Sequence, residues 1–252
     1  MRFADTLPQV DTAANLRCPS CVEWTCGLGS LLTPPEASQL AAVSIRRQVT
    51  AGAELLTMEG LRDTCVAILR GVVKVLRLLS DGRQQIVALK AAPDLLGAPF
   101  MRVDDLSFRA VTDMEICCVP RSVFEALVLR NPALEHRLHL RVLQDLSAAE
   151  ALLLTLGRKT ARERIATFLL EVAGRLQPLG KQGRCSIWIE EGMPSVLDLP
   201  LTRAEIGDFL GLTFETVSRQ FAALRRDGII AFSDPRRITV KDGMRLQMAS
   251  GS

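Results

Sequence analysis

The chain contains no tyrosine, two histidines and two tryptophans. Chemistry built on tyrosine is therefore excluded, and chemistry built on histidine has little to draw on. The two histidines, His136 and His139, stand three apart in a run with helical spacing. One shared metal is conceivable there, but a surface or seam role is the better fit. No glycine-rich phosphate loop, no paired-histidine metal motif and no Ser/His/Asp arrangement occurs. An enzyme is not expected. No apolar run reaches the roughly 18–20 residues that a membrane helix needs. The start, Met1-Arg2-Phe3-Ala4, lacks the apolar stretch of a secretion signal. A cytoplasmic protein with no membrane partner is the expectation.

What is present is a globular balance. Hydrophobic residues make up 48% and charged residues 23% of 252 residues, enough for real cores in one large domain or two ordinary ones. The net charge is only +3, but it is uneven. From Arg158 onward, 15 Lys+Arg face 11 Asp+Glu, so the basic excess lies wholly in the last third. The seven cysteines are an odd number, which does not suggest a disulfide framework. Three of them, Cys18, Cys21 and Cys26, fall within nine residues.

Five segments follow from the pattern. Residues 1–30 form an arm with Pro8, Pro19, Gly27, Gly29 and the cysteine cluster. Residues 31–132 open with a short helix after Pro34-Pro35 and continue as a β-roll. Its predicted strands are Val49–Leu56, Cys65–Leu79, Arg83–Leu89 and two within Leu106–Val119, with an Asp81-Gly82 hairpin turn. A short helix spans Arg121–Leu129. Residues 133–157 form a long helix whose Leu134, Leu138, Val142, Leu146, Leu153 and Leu156 recur at spacings of three, four or seven, marking a dimer seam. A hinge falls at Gly157–Thr160. Residues 158–245 form a winged helix-turn-helix. It starts with a helix from Ala161 to Leu176, a turn at Pro178, Gly180 and Gly183, a strand over Cys185–Ile189 and a loop from Glu190 to Val196. Residues 246–252 read as a disordered tail. The fold class is α+β.

The winged segment carries the sharpest signal. Thr202 precedes Glu205 by three residues, a capping box. A helix to Leu210, a Gly211 turn, a helix over Phe214–Arg226, Gly228 and two strands follow, which is the layout of a groove-reading domain. On the second helix Val217, Phe221 and Leu224 share an apolar face, and Glu215, Ser218, Arg219 and Ala222 share the opposite one. Arg219 suits a guanine edge, Glu215 a cytosine amine and Ser218 a base or thymine contact. Thr202, Thr213 and Thr216 suit phosphates near helix starts, and Arg203 and Arg236 add charge.

The run Leu201-Thr202-Arg203-Ala204-Glu205-Ile206-Gly207-Asp208-Phe209-Leu210-Gly211-Leu212-Thr213-Phe214-Glu215-Thr216-Val217-Ser218-Arg219 resembles the DNA-binding motif of the Crp/Fnr family of bacterial transcription regulators. The Glu215, Ser218, Arg219 triplet resembles its Fnr branch. The resemblance extends over arm, roll, long helix and winged domain. It implies a homodimer on a palindrome of the type TTGAT-N4-ATCAA, with RNA polymerase as a further partner. It also implies that Arg219 reads the guanine, Glu215 the paired cytosine and Ser218 the neighbouring thymine.

For the sensor, the residues alone leave zinc, a thiol switch or no function open for Cys18-x2-Cys21-x4-Cys26. The resemblance implies a 4Fe–4S cluster that answers to oxygen, with Cys117, three residues before Pro120, as fourth ligand. Cys118 alternates to the other side of its strand. Cys118, Cys65 and Cys185 read as small buried residues. Fnr proteins more often have a longer spacing between the second and third cysteines. The family's roll often binds a cyclic nucleotide. Here, after Asp94-Leu95-Leu96-Gly97-Ala98-Pro99, Asp104 falls where a phosphate arginine belongs, with Asp105 beside it, and two carboxylates repel a phosphate. No cyclic nucleotide is expected. Family members can carry an acid in the seam that resists association. Its position maps to Ala151, beside Glu150, so a dimer that persists without the cluster is expected.

Overall fold

Turn residues cut the aliphatic first half into strands. The computed structural model describes residues 28–55, 63–97, 106–175, 195–232 and 234–251. The strands are β1 (Ile45–Val49), β2 (Thr64–Arg70), β3 (Val72–Leu78), β4 (Gln84–Ala91), β5 (Leu95–Leu96), β6 (Ser107–Ala110) and β7 (Met114–Pro120). The β3–β4 hairpin turns at Gly82, whose φ is +87°, with Leu78 opposite Gln84. The Asp81 carboxylate accepts from the Arg83 backbone N–H at 3.0 Å and from its Nε at 2.8 Å. Two antiparallel sheets result, ordered β1-β7-β2-β5 and β4-β3-β6. Alternate side chains from both, among them Val66, Ile68, Val75, Phe108 and Ile116, fill the space between them. This is the expected roll.

Two strand boundaries differ from the sequence reading. The expected strand Val49–Leu56 begins earlier, and Val49 is its last residue, because the chain turns at Ala51-Gly52. Gly52 has a φ of +86°, and the Asp113 carboxylate accepts from the Ala51 N–H at 2.9 Å. The run Cys65–Leu79 is two strands divided at Gly71. The φ there is +95°, and an added Cβ would stand 2.6 Å from the Asp113 carbonyl oxygen.

Helices cover the outer face of the first sheet. They are α1 (Pro34–Val43), α2 (Arg121–Val128) and the start of α3 (Pro132–Arg158). Leu40, Phe124, Leu127 and Leu134 pack there on Cys65, Ala67, Cys117 and Val119. Asn131 caps α3: its side chain accepts from the Leu134 N–H at 3.1 Å. The same side chain donates to the Leu31 carbonyl at 3.1 Å, which pins the short 3-10 turn Leu28–Leu31 to this layer. At 27 residues, α3 runs through Gly157, so the bend falls at Lys159-Thr160 rather than at the glycine.

The second half comprises α4 (Ala161–Arg175), β8 (Ser195–Asp198), α5 (Arg203–Leu210), α6 (Phe214–Arg226), β9 (Ile230–Phe232), β10 (Arg237–Val240) and α7 (Gly243–Ala249). The sheet order is β8-β10-β9. Ser195 and Val196, expected in a loop, begin β8. The expected strand at Cys185–Ile189 and the turn before it lie outside the described residues. The expected disordered tail is corrected. Asp242 caps α7 by accepting from the Arg245 N–H at 2.9 Å, and Leu246 and Ser250 are fully buried. Lys159 Nζ donates to the Ser250 carbonyl at 2.8 Å, tying the bend to this last helix.

The two halves touch through the hairpin. Leu76 and Ile86 join the winged-helix core, and Lys74 Nζ lies 2.5 Å from Glu205 Oε1. Gln84 donates to Asp208 at 2.7 Å, and Gln85 to the Phe209 carbonyl at 3.1 Å. Burial pushes the Glu205 carboxyl up, but hydrogen bonds from Lys74 and Thr202 outweigh it and hold the group below its usual range. Among the described residues no helix is long and apolar enough to cross a membrane.

Candidate nucleic-acid interface and thiol face

The reading helix is built by local rules. Thr202 and Glu205 form the capping box of α5: Glu205 N–H donates to Thr202 Oγ1 at 3.3 Å, and Thr202 N–H donates to Glu205 at 2.8 Å. Gly211 ends α5 in the left-handed region, with φ +62°. The turn then presses back on Gly207, where a Cβ would lie 2.5 Å from the Leu212 carbonyl oxygen. Thr213 caps α6, accepting from the Thr216 N–H at 3.2 Å.

Val217, Phe221 and Leu224 are buried as the period requires. Glu215, Arg219 and Ala222 are exposed, and Ser218 is half-buried beside them. Arg219 Nη2 donates to Thr216 Oγ1 at 3.1 Å, which holds the guanidinium along the helix start. The Glu215 carboxyl is held below its ordinary range by its own backbone N–H and by the Thr213 hydroxyl. Glu215, Ser218 and Arg219 thus stand on one open face. The Thr202 hydroxyl is spent inside the capping box, and the Thr213 and Thr216 hydroxyls bond each other at 3.1 Å. All three serve α5 and α6 before any phosphate.

Arg203 corrects the sequence reading more sharply. Its guanidinium carbon lies 3.3 Å from the Phe221 ring centroid and 5.5 Å from that of Phe232. Its Nη1 is buried with no hydrogen-bond partner among the described residues. Burial draws its pKa down to about 10. This cation points into the seam between α6 and the wing strand β9, not toward a phosphate. Nothing in the sequence pattern brings residues 203, 221 and 232 together.

On α3 the apolar stripe is open. Val142, Leu146 and Leu153 are 64%, 54% and 69% exposed. Leu143 and Leu154, which the seam pattern passed over, are exposed beside them. Leu138 is partly covered by its own roll, and Leu156 is partly covered too, packing toward Gly211. Ala151 is misplaced as a seam residue. A helix turns about 100° per residue, which puts Ala151 about 160° round from Leu153. Ala149 lies within about 60° of both Leu146 and Leu153 and occupies the stripe instead. Glu150 flanks it and is exposed. His136 and His139 are exposed near the start of α3.

The thiols divide as strand alternation requires. Cys117 is fully buried on the outer face, under α1, α2 and the start of α3. Cys118 faces the roll interior with Val66 and Ile116. Cys65 shares the outer face with Cys117, one cross-strand step away: Cys65 pairs with Val119 and Ala67 with Cys117. Burial pushes the Cys65 and Cys118 thiols up to about 11, so both stay protonated at neutral pH. Cys18, Cys21, Cys26 and Cys185 lie outside the described residues. Among the described residues no three His, Cys, Asp or Glu side chains converge as metal ligands. Asp104 and Asp105 also lie outside them. Asp94 is described, and it is engaged by Arg141 and by the Ala91 N–H at 3.2 Å.

A roll, a long helix with an open apolar stripe, and a winged helix with a polar reading face define a two-domain DNA-binding regulator. Family models agree: residues 46–131 match the cyclic nucleotide-binding domain, and residues 163–249 the Crp-like helix-turn-helix domain. A probable transcriptional activator of Rhizobium leguminosarum bv. viciae is 39% identical over 92% of both chains. The transcriptional activator protein FnrL of Cereibacter sphaeroides is 35% identical over 98% of this chain and 96% of its own. The structure of FixK2 from Bradyrhizobium japonicum aligns with a TM-score of 0.70 at 31% identity, covering 83% of this chain and 98% of that one. The chain belongs to the Crp/Fnr family of transcription regulators.

Proposed function

We propose that this protein is a homodimeric, oxygen-responsive transcription activator that reads an Fnr-type palindrome, TTGAT-N4-ATCAA. Its genes would be those of anaerobic or microaerobic growth, reached in the cytoplasm with RNA polymerase. Cys18, Cys21, Cys26 and Cys117 would hold a 4Fe–4S cluster, and no cyclic nucleotide would be needed. The observation that carries the cluster is the side of the sheet on which Cys117 stands. The chain just after Cys26 begins its described course at Leu28 and docks through Leu31 on the layer that covers Cys117. Cys118 faces away from that layer. Thiolate ligands also suit such a cluster chemically. When bound, the cluster supplies an oxygen-labile tie between arm and sheet.

The chain's own residues do the rest. Leu31 and Asn131 couple the arm to the start of α3. The exposed Val142, Leu146 and Leu153 offer the seam on which two copies close. Closure sets two α6 helices about one DNA turn apart. Arg219, Glu215 and Ser218 then meet guanine, cytosine and thymine edges. A second reading, control by thiol redox or zinc without a cluster, uses the same three arm cysteines.

The test is anaerobic purification followed by iron and sulfide analysis. Iron and sulfide near four per chain, with brown absorbance that Cys118→Ala keeps and Cys117→Ala loses, is the expected result. Zinc, or metal-free protein after reconstitution, decides for the second reading. Retention in Cys117→Ala with loss in Cys118→Ala would exchange the two roles.

A further inference from the structure

One end of the seam on α3 is chemically unlike the rest. At about 100° per residue, Glu135 and His139 each lie about 20° round the helix from Leu146, on the line that Val142, Ala149 and Leu153 continue. They stand four apart, so they are neighbours on one face. His136 lies about 80° from the same line, on its flank. All three side chains are exposed in the single chain. A carboxylate and an imidazole therefore occupy two successive positions of a stripe that is apolar at Val142, Leu146, Ala149 and Leu153.

Closing the seam changes the surroundings of these two residues. In a parallel pair of helices each stripe residue meets its own copy across the two-fold axis. Val142, Leu146 and Leu153 gain apolar contact from this. Glu135 does not, because two like charges are brought together while water is withdrawn from them. A divalent cation between the copies removes both penalties. Two carboxylates and two imidazoles are a four-ligand set that zinc takes in tetrahedral geometry. One chain cannot supply that set. Among its described residues no three His, Cys, Asp or Glu side chains converge, so the site is complete only when a second copy is in place.

We propose that Glu135 and His139 of two copies together hold one divalent transition-metal ion of the zinc class at the start of the seam, and that the ion tightens the dimer. The proposal rests on the reading of α3 as a dimer seam. It uses neither the arm cysteines nor Cys117, so this site is separate from the proposed cluster. His136, on the flank of the stripe, is not a ligand. The start of α3 is also the part packed under the thiol face through Leu134, so the ion acts where the helix meets the roll.

The experiment uses the full-length chain carrying Cys18→Ser, Cys21→Ser and Cys26→Ser, which removes the arm thiolates as competing ligands. Cobalt(II) is the probe, standing in for zinc. Saturation at one cobalt per two chains is expected, with the visible d–d bands of a four-coordinate ion and no thiolate charge-transfer band. Zinc at ten times its dissociation constant should tighten the dimer about tenfold in sedimentation. His139→Leu places an apolar residue on an exposed, apolar stripe, so it should remain dimeric while losing both the cobalt bands and the response to zinc. Glu135→Gln should weaken cobalt binding, and His136→Ala should match the parent chain. A dimer that shows no cobalt bands, or bands that survive in His139→Leu, overturns the proposal and leaves the seam standing. Protein that is monomeric with and without zinc strikes the seam reading and the site with it, a result distinct from the other two.

Discussion

The two halves of the molecule commit their functional residues in opposite ways. In the winged domain the proposed reading side chains Glu215, Ser218 and Arg219 lie within five residues, on one helix fixed by its own cap and turn. In the roll domain the proposed ligands span a hundred residues, with three in the arm and Cys117 on a central strand. A reader can be local because a groove needs one exposed face. A sensor tied to dimerisation must join distant parts, since its purpose is to make one end of the chain matter to the other. The long helix α3 links the two regimes: its start is packed under the thiol face, and its middle is bare.

That contrast breaks first at the seam. Val142→Asp combined with Leu153→Asp touches only exposed side chains, so each monomer should fold unchanged. Separate readers lose the gain of being linked, about 10²-fold or more in affinity for the palindrome. Sedimentation and DNA titration on the same samples check this. A variant that stays dimeric would move the seam elsewhere. With no acid on the stripe at Ala149, the wild-type apo-protein should remain dimeric at micromolar concentration, and apo-protein that sediments only as monomer would count against this.

The next test asks whether α7 belongs to the winged core. Leu246→Ala should cost about 2–5 kcal/mol, seen as a lower melting temperature. Leu78→Ala, at the exposed hairpin, should stay within about 0.5 kcal/mol. Equal effects would mean that α7 is not part of the core. A third test goes to the reader. Arg219→Ala should lose about 1–3 kcal/mol of discrimination at the guanine pair while keeping most non-specific affinity. An unchanged ratio of specific to non-specific binding would remove Arg219 from base reading.

How much of this was legible follows the same divide. The capping box, the Gly211 turn and the α6 face are short-range patterns, and the sequence shows them at their observed positions. The strands β2, β3, β4, β6 and β7 were legible to within a few residues, whereas β5, only two residues long and set in a Pro- and Gly-flanked stretch, was not. The early end of β1 was not, because the Asp113 contact that turns the chain at Ala51 spans 62 residues. The tail was misread because α7 is only seven residues long, and its order comes from burying Leu246 and from the Lys159 bond to Ser250. Ala151 failed for another reason: counting along a motif ignores helix rotation, which decides what a seam contains. The alternation of Cys117 and Cys118 needed only the two-residue period of a strand.

The smallest expected effect tests Arg203, the expected phosphate-facing charge that the structure turns inward. Stacking on Phe221 and Phe232, it joins the helix that reads the groove to the strand that leads into the wing. A buried cation over a ring is worth about 0.5–2 kcal/mol, so Arg203→Met should lower the unfolding free energy by that amount. A phosphate contact would behave differently. Each one lost reduces the slope of log affinity against log salt by about 0.9. Arg236→Ala, on the exposed wing turn, should show that reduction, whereas Arg203→Met should keep the wild-type slope. Titrations at several salt concentrations separate the two. A slope that falls in Arg203→Met, with stability unchanged, would return Arg203 to the phosphate backbone. A preserved slope with a lower melting temperature makes it a positioning residue, one that aligns the wing with the reader and leaves the DNA to Arg219 and Arg236.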